Sequence, residues 1–199
     1  MPRLNPEARQ RLVAAAADML RRRGLNATSV REVAKHAQAP LGSTYHYFPG
    51  GKQQMVAEAV ESTAGFIARL LSKELKAGVA TGLRSILGFW RQTLIDTDFH
   101  AGCPVLAVSV EEPESDQSLA LAAAGAAFAS WEAMLTGALE AEFQDRDKAH
   151  RLATLIIASF EGAIAMCRAK RTIEPFDQVT EQLEKLVTPA SVSKVNQSD

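Results

Sequence analysis

Covalent or metal chemistry would have to start at His100-Ala101-Gly102-Cys103, where an imidazole and a thiol stand close in the chain. A nucleophilic cysteine needs a base beside its thiolate, and zinc needs several ligands. Neither set is completed nearby: His36, His46 and His150 fall on other segments, and Cys167 is the only other cysteine. There is no phosphate-cradling glycine loop and no His-Glu-x-x-His helix. The chain is therefore expected to be no enzyme and to hold no metal and no cofactor. Cys103 is expected to be a small buried hydrophobe, with a redox-sensing thiol as the alternative.

Recognition through hydrogen bonds and charge is better represented. In Pro40-Leu41-Gly42-Ser43-Thr44-Tyr45-His46-Tyr47-Phe48 the small Gly42 and Ser43 permit close approach, while Tyr45, His46 and Tyr47 offer hydrogen-bonding tips. Phe48 is expected to anchor the segment inward. Lys52 falls in the first turn of the next helix, where the helix dipole disfavours a cation unless an anion stands in front of it. A phosphate would be that anion; a lysine turned to water is the alternative. The charge distribution fits such a role. The 199 residues hold 22 Lys plus Arg and 23 Asp plus Glu, a net charge of −1 that excludes coating nucleic acid by bulk basicity. Residues 1–60 nevertheless hold nine basic side chains against four acidic, a net of +5, and the remainder 13 against 19, a net of −6. A basic head on an acidic body suits a head that meets a polyanion, or one whose charged face is merely solvated.

Helices must position these groups. At 47% hydrophobic and 23% charged the composition is globular, strand-like alternation is nearly absent, and Ala and Leu dominate, so the fold class is all-α. About nine helices are expected, over residues 6–23, 30–37, 40–47, 52–76, 81–96, 104–111, 114–143, 145–170 and 175–188, with a frayed tail at 189–199. Gly24 stops the first. Ser29-Val30-Arg31-Glu32 reads as a capping box for the second, and Pro40 as the first residue of the third. Three short helices of this kind form a helix-turn-helix head, which lays one helix in a major groove while another crosses the backbone. The domains are then a DNA-binding head at 1–51 and a helical body at 52–188. No run of ~18 apolar residues suggests a membrane span, and Met1-Pro2-Arg3 leads into an amphipathic segment rather than a secretory signal. No membrane partner and a cytoplasmic location are expected.

Thr28-Ser29-Val30-Arg31-Glu32-Val33-Ala34, followed by Gly42-Ser43-Thr44-Tyr45-His46-Tyr47-Phe48-Pro49-Gly50-Gly51-Lys52, resembles the DNA-binding head of TetR-family repressors. The Pro-Gly-Gly-Lys turn, Gly102-Cys103-Pro104 and Ala158-Ser159-Phe160-Glu161-Gly162-Ala163 are similar to the LmrA/YxaF-like branch. The resemblance implies a homodimer on double-stranded DNA and a small-molecule pocket between head and dimer interface. Carried over by residue, it gives Tyr45 and Lys52 to phosphates, Leu41, Gly42 and Ser43 to base edges, and Arg31 to a base or the backbone. His46 and Tyr47 follow as phosphate neighbours, with Ser29, Lys35 and Thr44 as further DNA-facing candidates. Three positions depart from the pattern: Gln38 stands in place of a turn glycine, Leu41 in place of a polar or basic residue, and Thr44 in place of leucine. Gln38 would then hold a left-handed backbone, or the turn has another shape. Leu41 is expected to pack on a thymine methyl.

In the body, Phe66, Phe89, Trp90, Phe99, Cys103, Phe128, Trp131, Met134 and Cys167 are candidates to touch a ligand, though such residues equally build a core. The two tryptophans each bring an N–H that needs a partner when buried. A lipophilic or aromatic effector is expected. Two apolar stripes, Leu152, Leu155, Ile156, Ser159, Phe160, Ala163 and Met166 on one helix and Phe176, Val179 and Leu183 on the next, are the expected dimer interface; covering the monomer core is their other use. A non-enzymatic helical adaptor, whose basic head meets an acidic protein, remains the alternative to a ligand-responsive regulator.

Overall fold

The computed structural model describes residues 5–112 and 118–188, among which there are nine α-helices and no strand. Helix α1 (Pro6–Arg23) opens with Asn5, whose side chain accepts from the Glu7 N–H at 2.9 Å, and stops at Gly24, φ 83°. Its buried face is Leu12, Val13, Ala15, Ala16, Met19 and Leu20. Helix α2 (Val30–His36) is capped as expected, with the Ser29 hydroxyl accepting from the Glu32 N–H at 3.2 Å. Helix α3 (Leu41–Tyr47) starts one residue later than the sequence suggests: Pro40 is the extended N-cap, with ψ 131°, and not the first helical residue. Phe48 closes the head as a fully buried plug, with the Arg9 guanidinium 5.3 Å from its ring centre.

Helix α4 (Gly51–Glu74) passes through a short 3-10 turn, Leu75–Ala77, into α5 (Val79–Asp96). Its first turns bury Met55, Val56, Ala59 and Val60 under the head; farther on it buries Ile67 and Leu71 in the body. One hydrophobic core therefore runs unbroken from Leu12 to Val187. Helix α6 (Pro104–Ser109) is shorter than expected, and α7 (Leu119–Phe143) begins at the Ser118 cap rather than at 114, where the expected start falls outside the described residues. Helices α8 (Arg146–Lys170, capped by Asp145) and α9 (Glu174–Val187) complete the chain. The expected tail at 189–199 also lies outside the described residues.

Helix α7 packs along both α4 and α8, and α9 against α8 and α5. By length and composition alone α7 and α8 could each cross a membrane; here they form one hairpin of the folded body.

Candidate nucleic-acid interface and effector cavity

Four residues, 37 to 40, join α2 to α3, and Gln38 makes the turn by taking φ 52°, the left-handed conformation a glycine would adopt without strain. The Ala39 N–H reaches back to the Ala34 carbonyl at 2.8 Å and closes the corner. The turn presents one face of α3 outward: Gly42, Tyr45 and His46 are exposed, Ser43 is half-buried, and Tyr45 reaches 53% exposure. A Cβ added at Gly42 would meet nothing within 4 Å, so a surface can approach the backbone there. Arg31 and Lys35 of α2 are exposed beside this face. Lys52, in the first turn of α4, is half-buried.

Several expected contacts have another role. Thr44 is fully buried and donates its hydroxyl to the Pro40 carbonyl at 3.2 Å; a side chain packed inward cannot reach DNA. Ser29 spends its hydroxyl on the α2 cap. The Tyr47 hydroxyl accepts from the Asn5 N–H at 3.1 Å, tying α3 to the start of α1. Leu41 is half-buried against the core and keeps part of its surface outside. Under the same head, Asp18 binds Arg21, Arg22 and His36. Burial works to raise its carboxyl, but the hydrogen bonds and charges of the two arginines outweigh it and hold the group below the usual range.

Where head meets body, a cavity of about 410 Å³ opens between α1, α4 and α5. It brings together three of the aromatic candidates, Phe66, Phe89 and Trp90, with ring centres 5.6 and 5.8 Å apart in sequence. Trp90 is buried and its indole N–H has no hydrogen-bond partner. Ala14, Ala17, Asp18 and Arg21 of α1 form the head side of the wall. Below the cavity the body grips the end of α1. The Glu111 carboxylate accepts from the Leu25 and Asn26 N–H groups at 2.7 and 2.8 Å, the Gly102 N–H donates to the Arg21 carbonyl at 2.8 Å, and Arg168 donates to the Arg22 carbonyl at 3.1 Å. None of these was legible in the sequence, because the partners lie as many as 146 residues apart.

The other aromatic and sulfur candidates do not converge on that cavity. Trp131 is buried and donates to the Ala64 carbonyl at 3.2 Å, so its N–H is satisfied within the chain. Phe99 and Met134 are half-buried against the core, Cys167 is buried in it, and Phe128 lines a separate groove. Cys103 is buried as well. Burial, then the charge of Glu161, push its thiol well above the usual range, which withholds the thiolate that redox sensing uses.

The expected dimer stripes divide in two. Leu152, Ile156, Phe160, Ala163, Phe176 and Leu183 are buried in the core of their own chain, because α8 turns that face toward α7 and α9. Ser159 and Val179 are half-buried. Leu155 and Met166 remain outside, 47% and 51% exposed, with Leu186 of α9 at 48%.

Sequence reasoning also passed over Glu161, which appeared only within a motif. The signal was present: it is an acid at a helical position whose neighbours four before and three after are Ile157 and Ile164.

Residues 12–59 match the family described as bacterial regulatory proteins, tetR family. Residues 79–182 match the C-terminal domain of LmrA/YxaF-like transcriptional regulators. The uncharacterized HTH-type transcriptional regulator Rv0196 of Mycobacterium tuberculosis is 39% identical over 183 residues, covering 90% of this chain and 93% of that one. YxaF of Bacillus subtilis, also named an HTH-type transcriptional regulator, is 27% identical with 91% and 95% covered. A TetR transcriptional regulator from Legionella pneumophila has the same fold, with a TM-score of 0.83 over 94% of this chain and 100% of that chain at 18% identity.

Proposed function

Since this chain belongs to the TetR family of bacterial transcriptional regulators, in its LmrA/YxaF-like branch, we propose that it is a cytoplasmic repressor that binds a palindromic operator as a homodimer and is released by a lipophilic or aromatic effector. The observation that carries this reading is the outward face of α3, where Gly42, Ser43, Tyr45 and His46 stand clear of the core on a helix anchored by Phe48. Residues 1–51 supply the head, and 52–188 sense and dimerise. Gly42, Ser43 and the outer flank of Leu41 meet base edges, while Tyr45, Lys52 and the flanking Arg31 and Lys35 meet phosphates. No membrane takes part.

The effector occupies the cavity lined by Phe66, Phe89 and Trp90. Its rings stack against the phenylalanines and the edge of Trp90 that lines the cavity. Such a molecule touches α1 and α4 at once, so filling the cavity changes the angle between them and with it the separation of the two heads. Reading a palindrome requires heads one DNA turn, ~34 Å, apart, and an effector that prefers a different spacing releases the operator.

The test is selection of bound duplex from a random pool, followed by titration of the selected duplex at rising salt. A palindromic consensus with affinity falling steeply in salt is expected. Absence of sequence preference would return the chain to the adaptor reading. Head separation measured by paired fluorophores, unchanged between operator-bound and effector-bound dimers, would end the lever mechanism.

A further inference from the structure

The charges on the wall of the cavity at the head decide what kind of molecule it favours. Helices α1 and α4 run side by side in the same direction: Arg9 pairs with Glu58, and farther along both helices Ala14, Ala17 and Arg21 share the cavity wall with Ser62, Phe66 and Arg69. The register of the first pair, carried along the two helices, sets Arg21 at the level of Arg69. One end of the cavity is therefore flanked by two guanidinium groups from adjacent helices, while Ala14, Ala17, Phe66 and Phe89 make up its apolar wall.

The polar groups differ in what they still have to offer. Arg21 donates from Nε to Asp18 Oδ1 at 2.8 Å and brings Nη2 within 2.6 Å of the same oxygen, leaving Nη1 as its spare donor. Asp18 is saturated, since it also accepts from the Arg22 Nε at 3.1 Å and meets His36 Nε2 at 3.1 Å. Thr63 and Thr93 donate their hydroxyls to carbonyls of their own helices, at 3.0 and 2.9 Å. Arg69 stands apart. Its guanidinium is exposed, lies back over Gly65, where a Cβ would come within 3.3 Å of Nη1, and has no carboxylate partner among the described residues. The wall thus carries two guanidinium groups against one carboxylate, and that carboxylate is already shared with Arg22 outside the cavity.

We infer that the molecule taken by this cavity is an aromatic anion, a carboxylate carried on a flat ring system, with its charge at Arg69 and the spare Nη1 of Arg21 and its rings against Phe66 and Phe89. The inference rests on the reading of this cavity as the effector site and adds the charge of the effector. A cation would meet two guanidinium groups and a carboxylate with no lone pair to spare, and a neutral molecule would leave Arg69 to water. At about 410 Å³ the cavity falls in the range of sites for drug-sized molecules, so rings and acid fit together.

The test is calorimetric titration of the full chain with β-naphthoate, β-naphthamide and β-naphthylmethylammonium, which share a ring system and differ in charge. The acid should bind about fivefold more tightly than the amide, the size of an ion pair that keeps contact with water, and the ammonium most weakly. The preference should shrink as salt rises. Arg69→Gln should erase most of it and leave the amide's affinity unchanged, whereas Arg69→Lys, which keeps the charge, should retain part of it. Ala17→Phe fills the cavity from the α1 side; with its helix content retained, this variant should bind neither acid nor amide. An amide that binds as tightly as the acid, a preference for the ammonium, or a preference for the acid that survives Arg69→Gln would overturn the charge assignment and leave the cavity as the effector site. Binding that survives Ala17→Phe, or failure of all three probes to bind, would overturn the assignment and withdraw the cavity with it. Operator binding is measured separately on DNA and is untouched by any of these outcomes.

Discussion

Two residues sit against the usual preferences of their types, and each has a measurable consequence. Leu41 occupies the first position of α3 with part of its surface outside, where a leucine can read only a thymine methyl. Leu41→Arg should therefore change which bases the selected operator carries at one symmetric position, as a guanidinium pairs with guanine. Selection with the variant yielding the wild-type consensus would withdraw Leu41 from base reading. Glu161 makes stability depend on pH. Its carboxyl titrates near 4.5 when the chain is unfolded and is raised to about 7 in the fold, so between those values the native state holds a proton the unfolded chain has lost. Stability conferred at low pH thus falls as pH rises, and the full penalty, on the order of 3 kcal/mol, stands above pH 7. Glu161→Gln removes this dependence. The stability difference between variant and wild type, from denaturant titrations at several pH values, should move in the variant's favour from about pH 4.5 to 7 and then level off.

Among the elements, the end of α1 is where head and body are mechanically joined. Glu111 holds the Leu25 and Asn26 N–H groups, and a Cβ at Gly24 would come within 2.0 Å of its Oε1. Gly24 also has φ 83°, so Gly24→Ala would strain the backbone and expel the carboxylate together. We expect a loss of about 2 kcal/mol in stability, read by denaturant unfolding. Glu111→Ala separates clamp from strain. It should raise hydrogen exchange at the Leu25 and Asn26 amides and weaken the effector's power to release DNA, while the variant still binds the operator. Unchanged exchange would mean that the clamp does not hold the turn in solution.

For the molecule as a whole, the proposed homodimer requires a surface that joins two copies. Leu155 and Met166 on α8 and Leu186 on α9 are large apolar side chains left outside the core on the two last helices. If the proposed dimer forms through them, a charge placed there should remove association without touching the fold of one chain. Leu155→Arg should sediment as a folded monomer, with helix content retained and operator affinity reduced about a hundredfold or more, since one head neutralises half the phosphates. A dimer that survives Leu155→Arg and Met166→Arg would place the interface elsewhere.

How much of this could be read beforehand differs by distance along the chain. The helices were legible, because capping, glycine stops and apolar spacing act within a few residues: Ser29 caps α2 and Gly24 ends α1, while of the two shapes left open for the turn at Gln38 the structure takes the left-handed one. The outward placement of Gly42, Tyr45 and His46 was legible for the same reason, as the α3 face is set by helical spacing. Thr44 was the exception, because spacing alone did not say which side of so short a helix would turn inward. What required the tertiary structure was the use of residues made important by distant partners. Trp131 spends its N–H on Ala64 while Trp90 keeps its own unpaired, and six apolar residues of α8 and α9 cover their own core rather than a second copy. Glu161 becomes a buried acid, set beside the Cys103 thiol, only when α6 and α8 close around it. An apolar stripe states that a face will be buried; which surface buries it, and what a polar group finds there, is decided by the packing of the whole chain.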